Sequence, residues 1–86
     1  MATLQCQILT PEGSAFEGEA TFVEAHALDG RVGILPRHAP LLTALGKGPL
    51  RVKLEGGTEK KWTIDGGFME VLNNHVSVVA ERLTEA

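Results

Sequence analysis

Apolar and polar residues alternate in several short segments of the chain, and this pattern predicts β-strands. The clearest case is the segment 50–55, in which every second position is apolar. Similar alternation marks the segments 4–8, 61–64 and 75–81. Because successive side chains of a strand point to opposite sides, each segment has one face suited to a core and one suited to solvent.

Clusters of Gly, Pro, Asn and Asp separate these segments at short intervals. They lie at 11–13, 29–30, 36–40, 46–49, 55–57, 65–67 and 73–74. The intervals are too short for helices of ordinary length and are typical of short strands joined by turns. We therefore predict an all-β domain in which two antiparallel sheets pack face to face. The polar tail 81–86 could begin a helix, but it is too short to hold one in isolation.

Three segments break the alternation because they are apolar on both faces: 20–28, 41–45 and 68–72. A strand of this kind is either central or has its outer face covered by something else. In a thin two-layer domain, the second option means a partner protein. The pattern therefore indicates that this domain does not work alone.

Length and charge narrow the classes of function. The chain has 86 residues, a formal net charge of -3 and a single cysteine, so we expect one domain over residues 1–86 in a reducing compartment. It lacks the basic clusters and aromatic platforms of nucleic-acid-binding proteins. The sequence has neither the pattern of a signal peptide nor an apolar run long enough to span a membrane.

The candidate chemistry is sparse. Cys6 could in principle pair with His26, His38 or His75 as a nucleophile and its base. However, alternation puts Cys6 on the apolar face of its strand, where burial raises the pKa of a thiol. The histidines do not have the spacing of a metal site, and no phosphate-binding loop is present. We expect no cofactor; a thiol-dependent hydrolase using Cys6 is the alternative function, and a nucleic-acid adaptor is a third.

The most specific indication of a protein family comes from the segment around Pro36 and Pro40. Residues 30–43 read GRVGILPRHAPLLT, and this run resembles the signature of the epsilon subunit of F-type ATP synthases. The segments LTP at 9–11 and FEG at 16–18 are similar to the first hairpin of that family. GGFMEV at 66–71 and HVSVVAE at 75–81 resemble its last two strands. The resemblance extends over essentially the whole chain.

The resemblance implies a flattened β-sandwich of about ten short, mostly antiparallel strands. It also implies a non-catalytic subunit of the central-stalk rotor, which binds the gamma subunit and the c-ring and couples proton translocation to ATP synthesis. The residues implied to face gamma are Thr10, His38, Leu42 and Thr43. Those implied to contact the c-ring are Asp29, Gly30, Arg31 and Val32. Members of the family often carry an acidic residue where this chain has Arg31.

The resemblance further implies a peripheral location on the cytoplasmic face of an energy-transducing membrane, of plasma or thylakoid type, without insertion. In the family, a regulatory two-helix hairpin follows the sandwich, and this sequence ends at Ala86, where the hairpin would begin. Either the natural subunit is short or the sequence is one domain of a longer subunit. We expect the chain to assemble without a helical inhibitory arm and without the ATP binding that the hairpin carries.

Overall fold

The computed structural model describes residues 2–85, and the regular structure of this part of the chain is entirely β-strand. Eight strands follow one another in the order β1 (Leu4–Thr10), β2 (Gly13–Ala20), β3 (Phe22–Ala27), β4 (Gly30–Ile34), β5 (Leu41–Lys53), β6 (Glu59–Leu72), β7 (His75–Ala80) and β8 (Leu83–Glu85). The predicted all-β class is confirmed.

The strands form one hydrogen-bonded sheet in the order β2-β1-β7-β6-β5-β3-β4, with β8 also beside β6. Strands β1 and β7 are parallel, and the other pairs are antiparallel. The longest pair is β5 with β6, which stay in one register from Leu41 opposite Val71 to Lys53 opposite Glu59.

The strand count is eight rather than the predicted ten or so, because β5 and β6 each contribute to both layers of the sandwich. The first layer contains β2, β1, β7, the second half of β6 and the first half of β5. The second layer contains β8, the first half of β6, the second half of β5, β3 and β4. The predicted turns at 46–49 and 65–67 are wrong, since both segments lie inside these two long strands.

The buried side of the long strands changes where they cross between layers. In β6, the buried residues are Trp62 and Ile64 before the crossing and Met69 and Val71 after it, so inward positions change from even to odd numbers. Gly67 lies at this crossing with φ 144, and a Cβ there would overlap the backbone carbonyl of Val79. Only glycine adopts such a backbone conformation readily.

A single core fills the space between the layers. Phe16 of the first layer and Trp62 of the second pack with their ring centroids 5.9 Å apart, an arrangement favourable for aromatic pairs. Cys6 lies in the same core with 1% of its surface exposed. The predicted core positions of Trp62 and Cys6 are confirmed.

The tail forms no helix in the part that the structure describes, in agreement with the prediction that it is too short to hold one. Residues Leu83–Glu85 form β8, which pairs with β6 from Ile64 opposite Leu83 to Trp62 opposite Glu85. Ala86 lies outside the described residues. Within residues 2–85, no helix is present that could cross a membrane.

Candidate partner-binding face

The outward side of the first layer carries large apolar side chains in contact with solvent. Leu42, Phe68, Leu72 and Val79 are 70%, 58%, 47% and 50% exposed, and we call these four residues the apolar outer face. They are exposed because their strand neighbours, such as Met69 and Val71, already fill the core. The sequence prediction that the segment 68–72 is apolar on both sides is therefore confirmed.

Strand register makes this face continuous. Two rows of outward-facing residues cross the first layer, with about 4.8 Å between neighbouring strands. The row through Phe68 contains Ala44, Phe68, Val79 and Leu9, and the row through Leu42 contains Leu42, Glu70, Ser77, Gln7 and Glu17. The first row is apolar across four strands. A contiguous apolar surface of this kind is typical of a protein-binding site.

A rigid loop borders one end of this face. Residues 35–40 connect β4 to β5, and the Arg37 amide donates a 2.8 Å hydrogen bond to the Asn74 side-chain oxygen. The Asn74 side-chain nitrogen in turn donates to the Thr3 carbonyl, also at 2.8 Å. Asn73 and Asn74 both have positive φ, as expected for the tight turn predicted there. The loop is therefore fixed against the β6–β7 turn.

The four residues predicted to face gamma lie in different places. Leu42 is exposed within the apolar outer face, and His38 lies in the adjoining loop, where its amide donates to the Leu35 carbonyl at 3.2 Å. Thr43 is half-buried on the opposite side of β5 from Leu42. Thr10 lies at the far end of β1, where its hydroxyl donates to the Gly13 carbonyl at 3.1 Å. Their roles in binding remain predictions.

The sequence alone does not predict a site role for Phe68, Glu70, Leu72 or Val79, although all four point outward from the first layer. The available signal was the alternation itself. Phe68, Glu70 and Leu72 occupy every second position of one strand and therefore share a face. Choosing which face points outward required knowing that Met69 and Val71 are the buried pair.

The segment predicted to contact the c-ring spans the end of the β3–β4 turn and the first residues of β4, in the second layer. Asp29 and Gly30 are exposed at its tip, whereas Val32 is half-buried and packs against the core. The Arg31 Nε lies 3.7 Å from the Glu24 carboxylate. The c-ring roles of these residues also remain predictions.

The outward side of the second layer is built differently, from paired charges. Arg51 contacts the Glu24 carboxylate through Nε at 2.8 Å and Nη2 at 2.7 Å, and its Nη1 lies 3.6 Å from Glu59. Lys53 lies over the ring of Phe22, 5.7 Å from its centroid. These polar groups have partners within the domain.

Cys6 does not have the environment of a nucleophile. Burial raises the pKa of its thiol from the ordinary 9.0 to about 12, so the reactive thiolate is disfavoured at neutral pH. His75 belongs to the neighbouring strand but is exposed on the outer side of the layer, away from the side that buries Cys6. Among residues 2–85, no group of three or more His, Cys, Asp or Glu side chains is placed to hold a metal ion.

Comparison with known proteins identifies relatives over the whole chain. The chain is 46% identical to the ATP synthase epsilon chain of Chromohalobacter salexigens over 86 residues, which is 100% of this chain and 61% of that protein. It is 42% identical to the ATP synthase epsilon chain of Brevibacillus brevis over 81 residues, covering 94% and 61%. The chain thus spans about three-fifths of the length of these relatives.

Solved structures share the fold. A chain in the cryo-EM structure of the Euglena gracilis mitochondrial ATP synthase (OSCP, F1 and c-ring) superposes with a TM-score of 0.92 at 21% identity, covering 99% of this chain and 54% of that one. A chain of the Tetrahymena thermophila mitochondrial ATP synthase central stalk and c-ring gives 0.79 at 16% identity, covering 94% and 65%. The family model of the ATP synthase delta/epsilon chain β-sandwich domain matches residues 3–86. The resemblance detected in the sequence is therefore confirmed, and the chain belongs to the ATP synthase delta/epsilon family as its β-sandwich domain.

Proposed function

We propose that this chain is a non-catalytic subunit of the central-stalk rotor of an F-type ATP synthase, and that it binds the gamma subunit through the apolar outer face. In this role it helps to connect gamma to the c-ring, so that proton translocation drives ATP synthesis. Its location would be peripheral, on the cytoplasmic face of the membrane that holds the c-ring.

The observation that carries the proposal is the exposure of Leu42, Phe68, Leu72 and Val79 on one side of one layer. Leaving apolar surface of this extent in water costs about 25 cal/mol for each Å² that a partner could bury. Family membership suggests which protein this partner is, because the relatives are named as ATP synthase epsilon chains. Gamma is therefore our choice of occupant.

The β3–β4 turn is the second proposed contact. Asp29 and Gly30 lie exposed at its tip, while Arg31 supplies a positive charge that Glu24 only partly offsets at 3.7 Å. We propose that this turn rests on the polar loops of the c-ring. A loop held between two paired strands presents such a contact without a large ordering cost.

The alternative of a thiol-dependent hydrolase finds no support in the geometry. Cys6 is 1% exposed, and burial raises the pKa of its thiol to about 12. A nucleophile must reach its substrate and must ionise at working pH. We expect native Cys6 to resist alkylation at neutral pH and to react only after denaturation; rapid modification of the folded chain would restore this alternative.

A binding measurement with one charge placed on each layer tests the gamma contact. Leu42→Asp introduces a carboxylate into the apolar outer face, and Thr63→Asp introduces the same group at an exposed position of the second layer. We expect Leu42→Asp to weaken binding to the purified gamma subunit by about 2 kcal/mol or more, with an unchanged circular dichroism spectrum.

Thr63→Asp serves as the matched control and should bind gamma as the unmodified chain does. If Leu42→Asp binds gamma with unchanged affinity, the apolar outer face is not the gamma contact. If the unmodified chain fails to bind gamma at all, the proposal as a whole is wrong.

A further inference from the structure

A single carboxylate lies in the middle of the apolar outer face. Glu70 is exposed on β6 between Phe68 and Leu72, which share its side of the strand, and it faces Leu42 across β5 and Ser77 across β7. Its neighbours on the same face are thus leucine, phenylalanine and serine, rather than the basic residues that accompany Glu24 in the second layer.

Glu70 has no cationic partner within 4.0 Å among residues 2–85, where the ion pairs all involve Glu24 or Glu59. In the free domain, water solvates this carboxylate. A partner that covers Leu42 and Phe68 must also remove that water. An ionised carboxylate that is buried without a compensating charge or hydrogen bond is strongly unfavourable.

The surface beside Glu70 is slightly concave and places apolar side chains next to the carboxylate. A shallow depression of about 240 Å³, open to solvent, lies between the start of β5 and the end of β6, and Glu70, Leu42 and Leu72 are among its lining residues. Its remaining lining is Pro40, Leu41 and Val71. The depression therefore offers a partner several apolar side chains and one carboxylate.

We propose that Glu70 forms an ion pair with an arginine of the gamma subunit and that this pair sets the register of the two proteins; this inference rests on the proposed function. The methylene stem of an arginine packs along apolar side chains such as Leu42 and Leu72. Its planar guanidinium can meet both carboxylate oxygens at once, which a lysine cannot do. The apolar row supplies most of the area buried on binding, whereas the single charge fixes how the two proteins are aligned.

The test compares two glutamates of the same row. Glu70 and Glu17 both point outward from the first layer, but Glu17 lies on the edge strand β2, three strands from Glu70. Binding of Glu70→Gln, Glu70→Lys and Glu17→Gln to the purified gamma subunit of the same ATP synthase is measured by a method that gives rates. Phe68→Asp is measured beside them as a variant of the apolar face itself.

We expect Glu70→Gln to weaken binding by about 30-fold or more, mainly through faster dissociation, as when one member of a desolvated charge pair is removed. Glu17→Gln should change the affinity less than about twofold, since rim charges contribute little. Glu70→Lys should bind more weakly still, and replacing one arginine of gamma by glutamate should restore part of its affinity. Thermal unfolding of the three glutamate variants should match that of the unmodified chain, because both glutamates are exposed.

The possible failures are distinguishable. If Phe68→Asp abolishes binding but Glu70→Gln binds normally, the apolar face is the gamma contact and the proposed ion pair is wrong. The same conclusion follows if Glu70→Gln weakens binding yet no arginine replacement in gamma rescues Glu70→Lys. If the unmodified chain does not bind gamma, the proposed function fails and the ion pair fails with it.

Discussion

The two layers of this sandwich share one core but present opposite surfaces to their surroundings. The second layer pairs Arg51 with acidic residues of the same domain: it contacts Glu24 at 2.7 Å and lies 3.6 Å from Glu59. The first layer exposes Leu42 and Phe68 and leaves Glu70 without a cation within residues 2–85. The second layer pairs the Glu24 charge within the domain, whereas the first leaves apolar side chains and the Glu70 carboxylate in contact with solvent.

In residues 2–85, this difference shows that the outward side chains, rather than the buried ones, indicate where a partner would bind. Buried residues report packing in both layers alike and so cannot distinguish them. The outward residues do distinguish them, because an apolar side chain or a lone carboxylate on a surface gains nothing from its own domain. The contrast between the layers can be tested by changes that act on their connection, on their common core or on one surface alone.

The largest effect is expected at the crossing that joins the layers. Gly67→Ala places a methyl group against the Val79 carbonyl in a backbone conformation with φ 144. We expect a loss of about 3 kcal/mol or more in the free energy of unfolding, since backbone strain and overlap add. Chemical denaturation followed by Trp62 fluorescence measures it.

Gly13→Ala is the matched control for this substitution. Gly13 has φ 126, but no atom of another part of the chain lies within 4 Å of the added methyl group, so only backbone strain of about 1–2 kcal/mol is expected. Equal losses at the two positions would mean that the close approach to Val79 is not what restricts Gly67. A larger loss at Gly67 supports the crossing as the shared support of both layers.

Burial of Cys6 in the common core is expected to make the free energy of unfolding depend on pH in the alkaline range. Burial raises the pKa of the Cys6 thiol to about 12, from 9.0 in the unfolded chain. A thiol with a raised folded-state pKa stabilises the fold fully below pH 9, and this contribution is lost as the pH rises toward about 12. The expected loss in the free energy of unfolding is about 1.4 kcal/mol for each pH unit in that window.

Urea denaturation at several alkaline pH values measures this slope, and Cys6→Ala gives the reference without a thiol. The difference between the two slopes isolates Cys6 from the lysines that also titrate there. If the two proteins lose stability in parallel, the Cys6 thiol ionises equally in the folded and unfolded states and its burial has no energetic consequence.

The smallest effects are expected at single surface charges, and they should differ between the layers. Arg51→Ala leaves Glu24, whose side chain is only 17% exposed, with Arg31 at 3.7 Å as its remaining cation. We expect a loss of about 1 kcal/mol in unfolding free energy and no change in gamma binding.

Glu70→Ala should show the reverse: stability within about 0.5 kcal/mol of the unmodified chain and weaker gamma binding. Thermal denaturation and a binding titration on the same samples give both quantities. If Arg51→Ala weakens gamma binding and Glu70→Ala does not, our assignment of roles to the two layers is inverted.

Much of this architecture could be predicted from local sequence. Alternation identified the buried sides of Leu50, Val52 and Trp62, and the asparagine pair identified the β6–β7 turn. Those features depend on a residue and its immediate neighbours. The strand signals are therefore reliable even without knowledge of the layers.

The prediction of turns at 46–49 and 65–67 is wrong because glycine-rich sequence is typical both of turns and of places where a strand crosses between layers. Gly48 lies beneath the His26 ring, which a Cβ would approach to 2.9 Å, and Gly67 lies against Val79. These contacts join residues far apart in sequence. Local composition therefore could not show why glycine is needed there.

The candidate site could also be predicted only in part from the sequence. Residues 41–45 and 68–72 stood out as apolar on both faces, and the resemblance supplied a partner. Neither gave the register that puts Leu42 opposite Glu70 and Phe68 opposite Val79. The position of Glu70 among apolar neighbours depends on how the strands of the first layer pair.

The measurement that tests the central claim most directly is alkylation of one cysteine introduced on each layer, with and without gamma. Val79→Cys lies on the outward side of the first layer and Thr63→Cys on that of the second, and both positions are exposed, while native Cys6 is buried. We predict that saturating gamma slows modification of Val79→Cys by about 10-fold or more, because the thiol is covered by the partner, and leaves Thr63→Cys unchanged. Protection of Thr63→Cys with free reaction of Val79→Cys would contradict the assignment of the apolar outer face to gamma.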